Sequence, residues 1–202
     1  MDQLSTIPAI VLAAGQSSRM RGTDKLLQDV DGQPLIRRQC QMARQVCERV
    51  YVTLPPLPHD RYTAISGLDV TPVSVANAAE GMGASLRAGF AALPADAQAA
   101  LLLLGDLPDL TAEDLSTVLQ AVDLTSDNLI WRGTTSEGRA GHPIVFAKSL
   151  FAEFATLTGD NGGQSIVAFA GDRVAHIALS GNRARNDLDT PEEWANWRAL
   201  RD

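Results

Sequence analysis

Apolar positions along the chain fall into two rhythms. Residues 7–14 form an unbroken apolar run that ends at Gly15, the pattern of a strand covered by helices on both faces. From Leu35 the rhythm changes. Ile36, Cys40, Ala43, Cys47 and Val50 recur at helical spacing with Arg and Gln between them, and YVTL at 51–54 follows as a second strand. This succession predicts a βαβ unit in a parallel sheet. Two further strands are expected at 69–75 and 99–104. GASLRAGFAAL between them reads as a helix that buries Leu86, Phe90 and Leu93.

The alternation continues towards the C-terminus. Thr111 and Asp114 form a capping-box pattern, and Leu115, Val118, Leu119 and Val122 give the helix after it an apolar face. NLIWR and HPIVFA read as strands separated by the Gly-rich, mobile-looking stretch GTTSEGRAG. Residues 150–157 and 164–169 read as short helices. Thr190 then caps a last helix with Pro191 at its first position and Glu193 three residues after the cap, burying Trp194 and Trp197. Neither an internal repeat nor a linker interrupts the pattern, so residues 1–202 are expected to form one domain.

Composition narrows the class. The 202 residues are 45% hydrophobic and 20% charged, too apolar for a disordered chain. Seventeen Lys and Arg against 24 Asp and Glu leave a net charge of -7, so nucleic acid and anionic membranes are not expected partners. An anionic ligand must therefore meet a local cationic cluster. Cys40 and Cys47 share one helical segment and are read as buried apolar side chains, not as a disulfide or zinc framework. MDQLSTIP lacks the basic and long apolar regions of a secretion signal, which points to the cytoplasm.

The required cluster lies in LAAGQSSRMRGTDKLL, residues 12–27. Small residues at Ala13, Ala14, Gly15, Ser17 and Ser18 let a polyphosphate approach the backbone N–H groups, while Arg19, Arg21 and Lys25 supply positive charge. The spacing is neither a P-loop nor GxGxxG, because Gly22 is followed by Thr23, Asp24 and Lys25. A plainer alternative is an ordinary strand-to-helix turn with a solvated basic face. Asp106 stands just past the apolar 101–104 run, where ligands of open α/β sheets bind. It suits Mg²⁺, with a second oxygen ligand to be found among Asn186, Asp187 and Asp189; equally, these aspartates could form turns or prepare the Thr190 cap. In EGMGASLRAG, Gly81 and Gly83 free the backbone ahead of a helix with Ser85 in its first turn, so a base or phosphate could lie there. His142, between Gly141 and Pro143, is either a contact for an acceptor phosphate or a residue that shapes its turn.

Taken with GHPIVF, GDNGGQSI and NDLDTPEEW, these motifs resemble the MobA-like NTP transferase family, most closely its molybdenum cofactor cytidylyltransferase branch. The likeness runs from residue 7 to residue 197. It implies an α/β fold, a Rossmann-like three-layer α/β/α sandwich with a mostly parallel sheet. It also implies that Leu12, Ala13, Ala14, Gly15, Arg19 and Lys25 wrap a nucleoside triphosphate, with Asn77, Gly83 and Ser85 near the nucleoside. His142 and Asp160 would face the acceptor, and Asp106 with Asp187 would hold Mg²⁺. GTP-using relatives commonly carry LAGG, so Ala14 in LAAG implies CTP. Arg21 and Gly22 depart from the Gly that many relatives place directly after the Met, which puts the loop's shape in question.

The reaction implied is attack by the phosphate of a molybdopterin-type acceptor on the α-phosphorus of CTP, with release of pyrophosphate. Lys25, Arg19 and Asp106 would be its catalytic residues, acting by positioning and charge neutralisation. Two alternatives remain. One is a cytidylyl- or uridylyltransferase acting on a sugar phosphate or methylerythritol phosphate. The other is a non-catalytic module that delivers a finished cofactor to an apo-molybdoenzyme.

Overall fold

The computed structural model describes residues 5–160 and 162–201. The first four residues of MDQLSTIP and Asn161 of the GDNGG motif lie outside them. In chain order the elements are β1 (Ala9–Leu12), β2 (Asp29–Val30), β3 (Gln33–Pro34), α1 (Leu35–Val46), β4 (Val50–Leu54), α2 (Asp60–Ala64), β5 (Thr71–Ser74) and α3 (Met82–Ala91). They continue with β6 (Ala99–Leu104), α4 (Ala112–Gln120), β7 (Ile130–Thr134), β8 (Ala140–Ala147), α5 (Phe151–Phe154), α6 (Gln164–Ala170), β9 (Val174–Ala178) and α7 (Pro191–Ala199). Seven strands make one sheet in the order β5-β4-β1-β6-β8-β7-β9, and β2 and β3 form a separate small hairpin. The ladders β5/β4, β4/β1, β1/β6 and β7/β9 are parallel, whereas β8 runs antiparallel to both β6 and β7.

Period-two alternation divides the core between the two faces of the sheet. Ala9, Val11, Leu101, Leu103 and Trp131 pack with Leu35, Ile36 and Cys40 of α1, Leu115 and Val118 of α4, and Trp194 and Trp197 of α7. Ile10, Leu12, Leu102, Ile144 and Phe146 point the other way, onto Leu86 and Phe90 of α3, Phe154 of α5 and Ile166 of α6. Helices therefore cover both faces, giving the expected three layers. Both thiols are buried, and desolvation pushes Cys40 and Cys47 up to about 12, so they stay protonated packing groups. Among the described residues no helix is long and apolar enough to cross a membrane.

Several local expectations are revised. The stretch GTTSEGRAG belongs in part to the strands it was expected to separate: Gly133 and Thr134 complete β7, Ala140 and Gly141 begin β8, and a tight turn joins them, with Thr135 N–H donating to the Arg139 carbonyl at 2.9 Å. Thr134 and Thr135 are buried there, so the Gly and Ser content reflects a hairpin turn. The helix expected over 150–157 is broken into a 3₁₀ turn at Lys148–Leu150 and the short α5. The sequence reading missed β9, an edge strand whose residues are mostly half-buried, because little apolar alternation marks it. It also missed α2, whose five residues are too few for a helical period to show.

Both capping boxes form as expected. At α7, Thr190 accepts from the Glu193 N–H, and Glu193 Oε2 accepts from the N–H groups of Thr190 at 2.9 Å and Asp189 at 2.7 Å. The cap that starts this helix therefore also fixes the backbone of an aspartate that faces the site described next.

Candidate active site

The C-terminal ends of β1 and β6 lie side by side, and the site is built on them. Gly105 donates its N–H to the Leu12 carbonyl at 3.0 Å. A Cβ on Gly105 would lie 2.9 Å from that same oxygen, so only glycine lets the two strand ends approach this closely. Asp106 follows at once and faces the loop that leaves β1.

Lys25 crosses from that loop and donates from Nζ to Asp106 Oδ2 and to Asp189 Oδ1, the latter at 2.7 Å. Arg19, an exposed side chain, pairs with the other oxygen of Asp189 at 2.8 Å. Burial disfavours charge on both Lys25 and Asp189, yet their mutual attraction prevails. With Asp106 and Asp189 beside it the Lys25 pKa is raised, and with Lys25 and Arg19 beside it that of Asp189 is lowered. Asp187 is shifted the other way: partial burial, then the charges of Asp106 and Asp189, push its carboxyl above the usual aspartate range.

Two adjoining cavities open at this point and share a wall of Ala14, Gly15, Gln16, Ser18, Ala78 and Ala79. The first, of about 350 Å³, contains Lys25, Asp106, Leu12, Ser85 and Asp160. The second, of about 650 Å³, extends past Asp24, Pro55, His59 and Arg61. Among the described residues, no hydrogen bond uses the N–H groups of Ala14, Gly15 or Gln16, which leaves three consecutive donors at the shared wall.

Of the residues singled out in sequence, Leu12, Ala14, Gly15, Lys25, Ser85, Asp106 and Asp160 thus meet in one cleft. Ala13, Arg19, Asn77, Gly83, His142 and Asp187 do not line either cavity. The Ala13 N–H and carbonyl are already used by Thr53 and Arg61. Asn77 is exposed between Ala76 and Ala78, which do line the larger cavity. Gly83 packs its backbone on the 158–159 turn and donates its N–H to the Gly159 carbonyl at 2.9 Å. Asp160 accepts from the Met82 N–H at 3.3 Å, at the start of α3. A Cβ on Gly81 would strike that carboxylate at 2.2 Å, and Gly81 has φ of 119°, which explains its glycine twice over. His142 has a buried Nδ1 without a partner. Burial, with the nearby Arg132 charge, lowers its pKa to about 4, so it is a neutral imidazole at physiological pH.

Sequence reasoning missed a second network behind the loop. Arg61 of α2, 1% exposed, donates from Nε and Nη2 to the two oxygens of Asp24, each at 2.7 Å, and from Nη1 to the Ala13 carbonyl at 2.7 Å. Nη2 also reaches Ser17 Oγ at 3.1 Å. Burial works against the Asp24 carboxylate, but its bonds to Arg61 and the Arg61 charge hold it below the usual range. No motif announces Arg61, which lies 37 residues beyond Asp24 in the chain.

The donor set bears on a metal. Among the described residues no three His, Cys, Asp or Glu side chains are gathered so as to hold an ion. Mg²⁺ needs fewer, since it takes about one or two carboxylates and completes its shell with water and substrate phosphates. Asp106 fits that need, because its Oδ1 is buried and has no hydrogen-bond partner.

The cleft lies at the carboxyl ends of β1 and β6, where ligands of open α/β sheets bind, and sets a cationic loop opposite an acid. The chain belongs to the MobA-like NTP transferase domain family, whose model matches residues 9–176. A protein named probable molybdenum cofactor guanylyltransferase from Synechococcus elongatus is 32% identical over 120 residues, which are 59% of this chain and 60% of that protein. The chain thus spans about 60% of that relative's length. Among solved structures, Rv0371c from Mycobacterium tuberculosis H37Rv is 26% identical, with a TM-score of 0.77 over 98% of this chain and 100% of that one. A CMP:2-keto-3-deoxy-manno-octonic acid synthetase complexed with CTP shares the fold, with a TM-score of 0.74 and 16% identity over 96% of this chain and 98% of that one.

Proposed function

We propose that this protein is a Mg²⁺-dependent nucleotidyltransferase that moves CMP from CTP to the phosphate of a molybdopterin-type acceptor and releases pyrophosphate. The observation that carries the reading is Lys25 standing between Asp106 and Asp189 at the joined strand ends, beside three unused backbone N–H groups. That arrangement offers donors and positive charge to a triphosphate on one side and carboxylate oxygen on the other. Family membership and the guanylyltransferase name of the curated relative support nucleotide transfer to molybdopterin.

In this reading an oxygen of the acceptor phosphate attacks the α-phosphorus in line, the α–β bridging P–O bond breaks, and the electron pair leaves on pyrophosphate. The nucleophile is already anionic, so no side chain need remove a proton. Lys25 and Arg19 meet the charge that gathers on the leaving group. The Ala14–Gln16 N–H groups orient the phosphates, and Ser85 and Asp160 border the same cleft. Asp106, with Asp187, would hold Mg²⁺, which when bound supplies charge neutralisation at phosphate oxygens.

The relative's name favours GTP. Two observations favour CTP instead. Ala14, packed against Val75 and Ala84, stands in the wall shared by the cavities where GTP-using relatives carry Gly. The larger cavity has Asp24 as its carboxylate, and both its oxygens are taken by Arg61, leaving no free acid for the N–H donors of a guanine edge. A thermal-shift panel of CTP, UTP, GTP and ATP with MgCl₂ separates the two. Ligand at a hundred times its Kd stabilises by about 2.7 kcal/mol, a shift of several degrees. The shift is expected with CTP. A shift confined to GTP overturns the base assignment, and pyrophosphate release with CTP and molybdopterin tests the transfer itself.

A further inference from the structure

Burying a guanidinium is costly unless every charge and most N–H groups are matched, and Arg61 is matched entirely by the β1 loop. Its partners are spread along it: the Ala13 carbonyl at the strand exit, Ser17 at the first bend, and Asp24 immediately before Lys25. The bend needs holding. Ser17 has φ of 52°, as does Arg21, a left-handed conformation that non-glycine residues adopt at a cost. Ser17 Oγ also donates to Asp24 Oδ1 at 3.2 Å and accepts from the Lys25 N–H at 3.3 Å, while Asp24 Oδ1 accepts from the Leu26 N–H at 2.9 Å. Arg61 thus sits at the centre of a knot that ties both ends of the loop together, and Lys25 leaves the knot at its next residue.

We infer that Arg61 is the positioning residue of the phosphate loop: its fork, locked on Asp24, Ser17 and the Ala13 carbonyl, holds the strained turn from which Lys25 reaches Asp106. It does so through the loop, its guanidinium being taken up by Asp24, Ser17 and the Ala13 carbonyl although it borders the larger cavity. The pairing is bidentate and planar, so lysine cannot reproduce it. The inference rests on reading the loop as a triphosphate cradle.

The test uses the full chain with Arg61→Lys, Arg61→Ala, Asp24→Asn and, as a control, Arg49→Ala, which removes an exposed pair with Asp96. Folding is checked by circular dichroism, CTP binding with MgCl₂ by calorimetry, and kcat and KM by pyrophosphate release. Arg61→Lys and Asp24→Asn, both folded at the assay temperature, are expected to raise the CTP Kd and KM tenfold or more, and the double variant to be no worse than the weaker single one. Added guanidinium at low millimolar concentration should partly restore binding in Arg61→Ala, a recovery that loss of bulk stability would not give. Arg49→Ala should match the wild type. Folded Arg61→Lys with Kd and KM within twofold of wild type overturns the inference, as does failure of all three site variants to fold, which would make Arg61 a folding residue. Wild-type protein that binds no nucleotide defeats the cradle reading itself.

Discussion

Lys25 and Asp106, 81 residues apart in the chain, form an ion pair across the mouths of β1 and β6. Asp189, which lies 164 residues beyond Lys25, closes the other side of the same ammonium. Three segments that share no local sequence are joined by one cation.

Replacing Lys25 by Ala removes that cation and leaves Asp106, Asp187 and Asp189 to repel one another. A preorganised charge partner of this kind is worth roughly 2.7–4 kcal/mol of barrier, so Lys25→Ala is expected to lose about two to three orders of magnitude in turnover. Near-normal pyrophosphate release would defeat the role given to Lys25.

Asp106→Asn keeps the shape of the side chain and removes its charge. The fold should survive, while half-maximal activity should need at least roughly tenfold more Mg²⁺. An unchanged magnesium titration would count against Asp106 as a ligand.

Asp187 gives the opposite signs for stability and function. Its carboxyl pKa is raised in the folded state, so the native protein holds that proton more tightly than the unfolded chain does. Stability is therefore lost as pH rises through the aspartate range. Asp187→Asn should accordingly melt slightly higher near pH 7 while needing more Mg²⁺. Because Asp187 is exposed, screening keeps the gain below about 1 kcal/mol, or about 2–4 °C at most. A lower melting temperature in this variant would contradict the raised carboxyl pKa that burial and the neighbouring aspartates impose.

For His142 the lowered pKa predicts an NMR titration near pH 4 and no limb from this residue in the activity profile above pH 6. The unfolded chain takes up this proton at about 6.5, so His142 contributes stability that falls as pH drops from there towards 4. A titration near 6.5 would show that the imidazole is solvated, contrary to its buried Nδ1.

Gly141 owes its identity to packing. A Cβ there would lie 2.2 Å from the Ala184 carbonyl, whose oxygen accepts from the His142 N–H at 2.8 Å. Gly141→Ala should cost about 1–3 kcal/mol and lower the melting temperature by several degrees. An unchanged melt would mean that the 184 segment yields freely.

Much of the fold was readable from local pattern. The β1 run, the α1 periodicity and the two capping boxes each carry their signal within a few residues, because strand and helix periods repeat over short distances. The loop at 12–27 and Asp106 stood out because each follows an apolar strand at the sheet end where ligands of open α/β folds bind, and the structure brings Lys25 and Asp106 together there. Thr134 and Thr135 misled because buried hydroxyls in a hairpin have the composition of a loop. The α2 helix was invisible because five residues are too few to show a helical rhythm.

Residue order alone settled most of the strands and the longer helices, how their apolar faces alternate, and where a cationic loop leaves the first strand. Three-dimensional packing settled which charges meet. Asp189 was chosen over Asp187 as the partner of Lys25, Arg61 was recruited behind the loop, and burial lowered the His142 pKa so that its imidazole stays neutral. Secondary structure answers to neighbours three or four residues away, whereas a charge answers to whatever lies within a few ångströms, however distant along the chain.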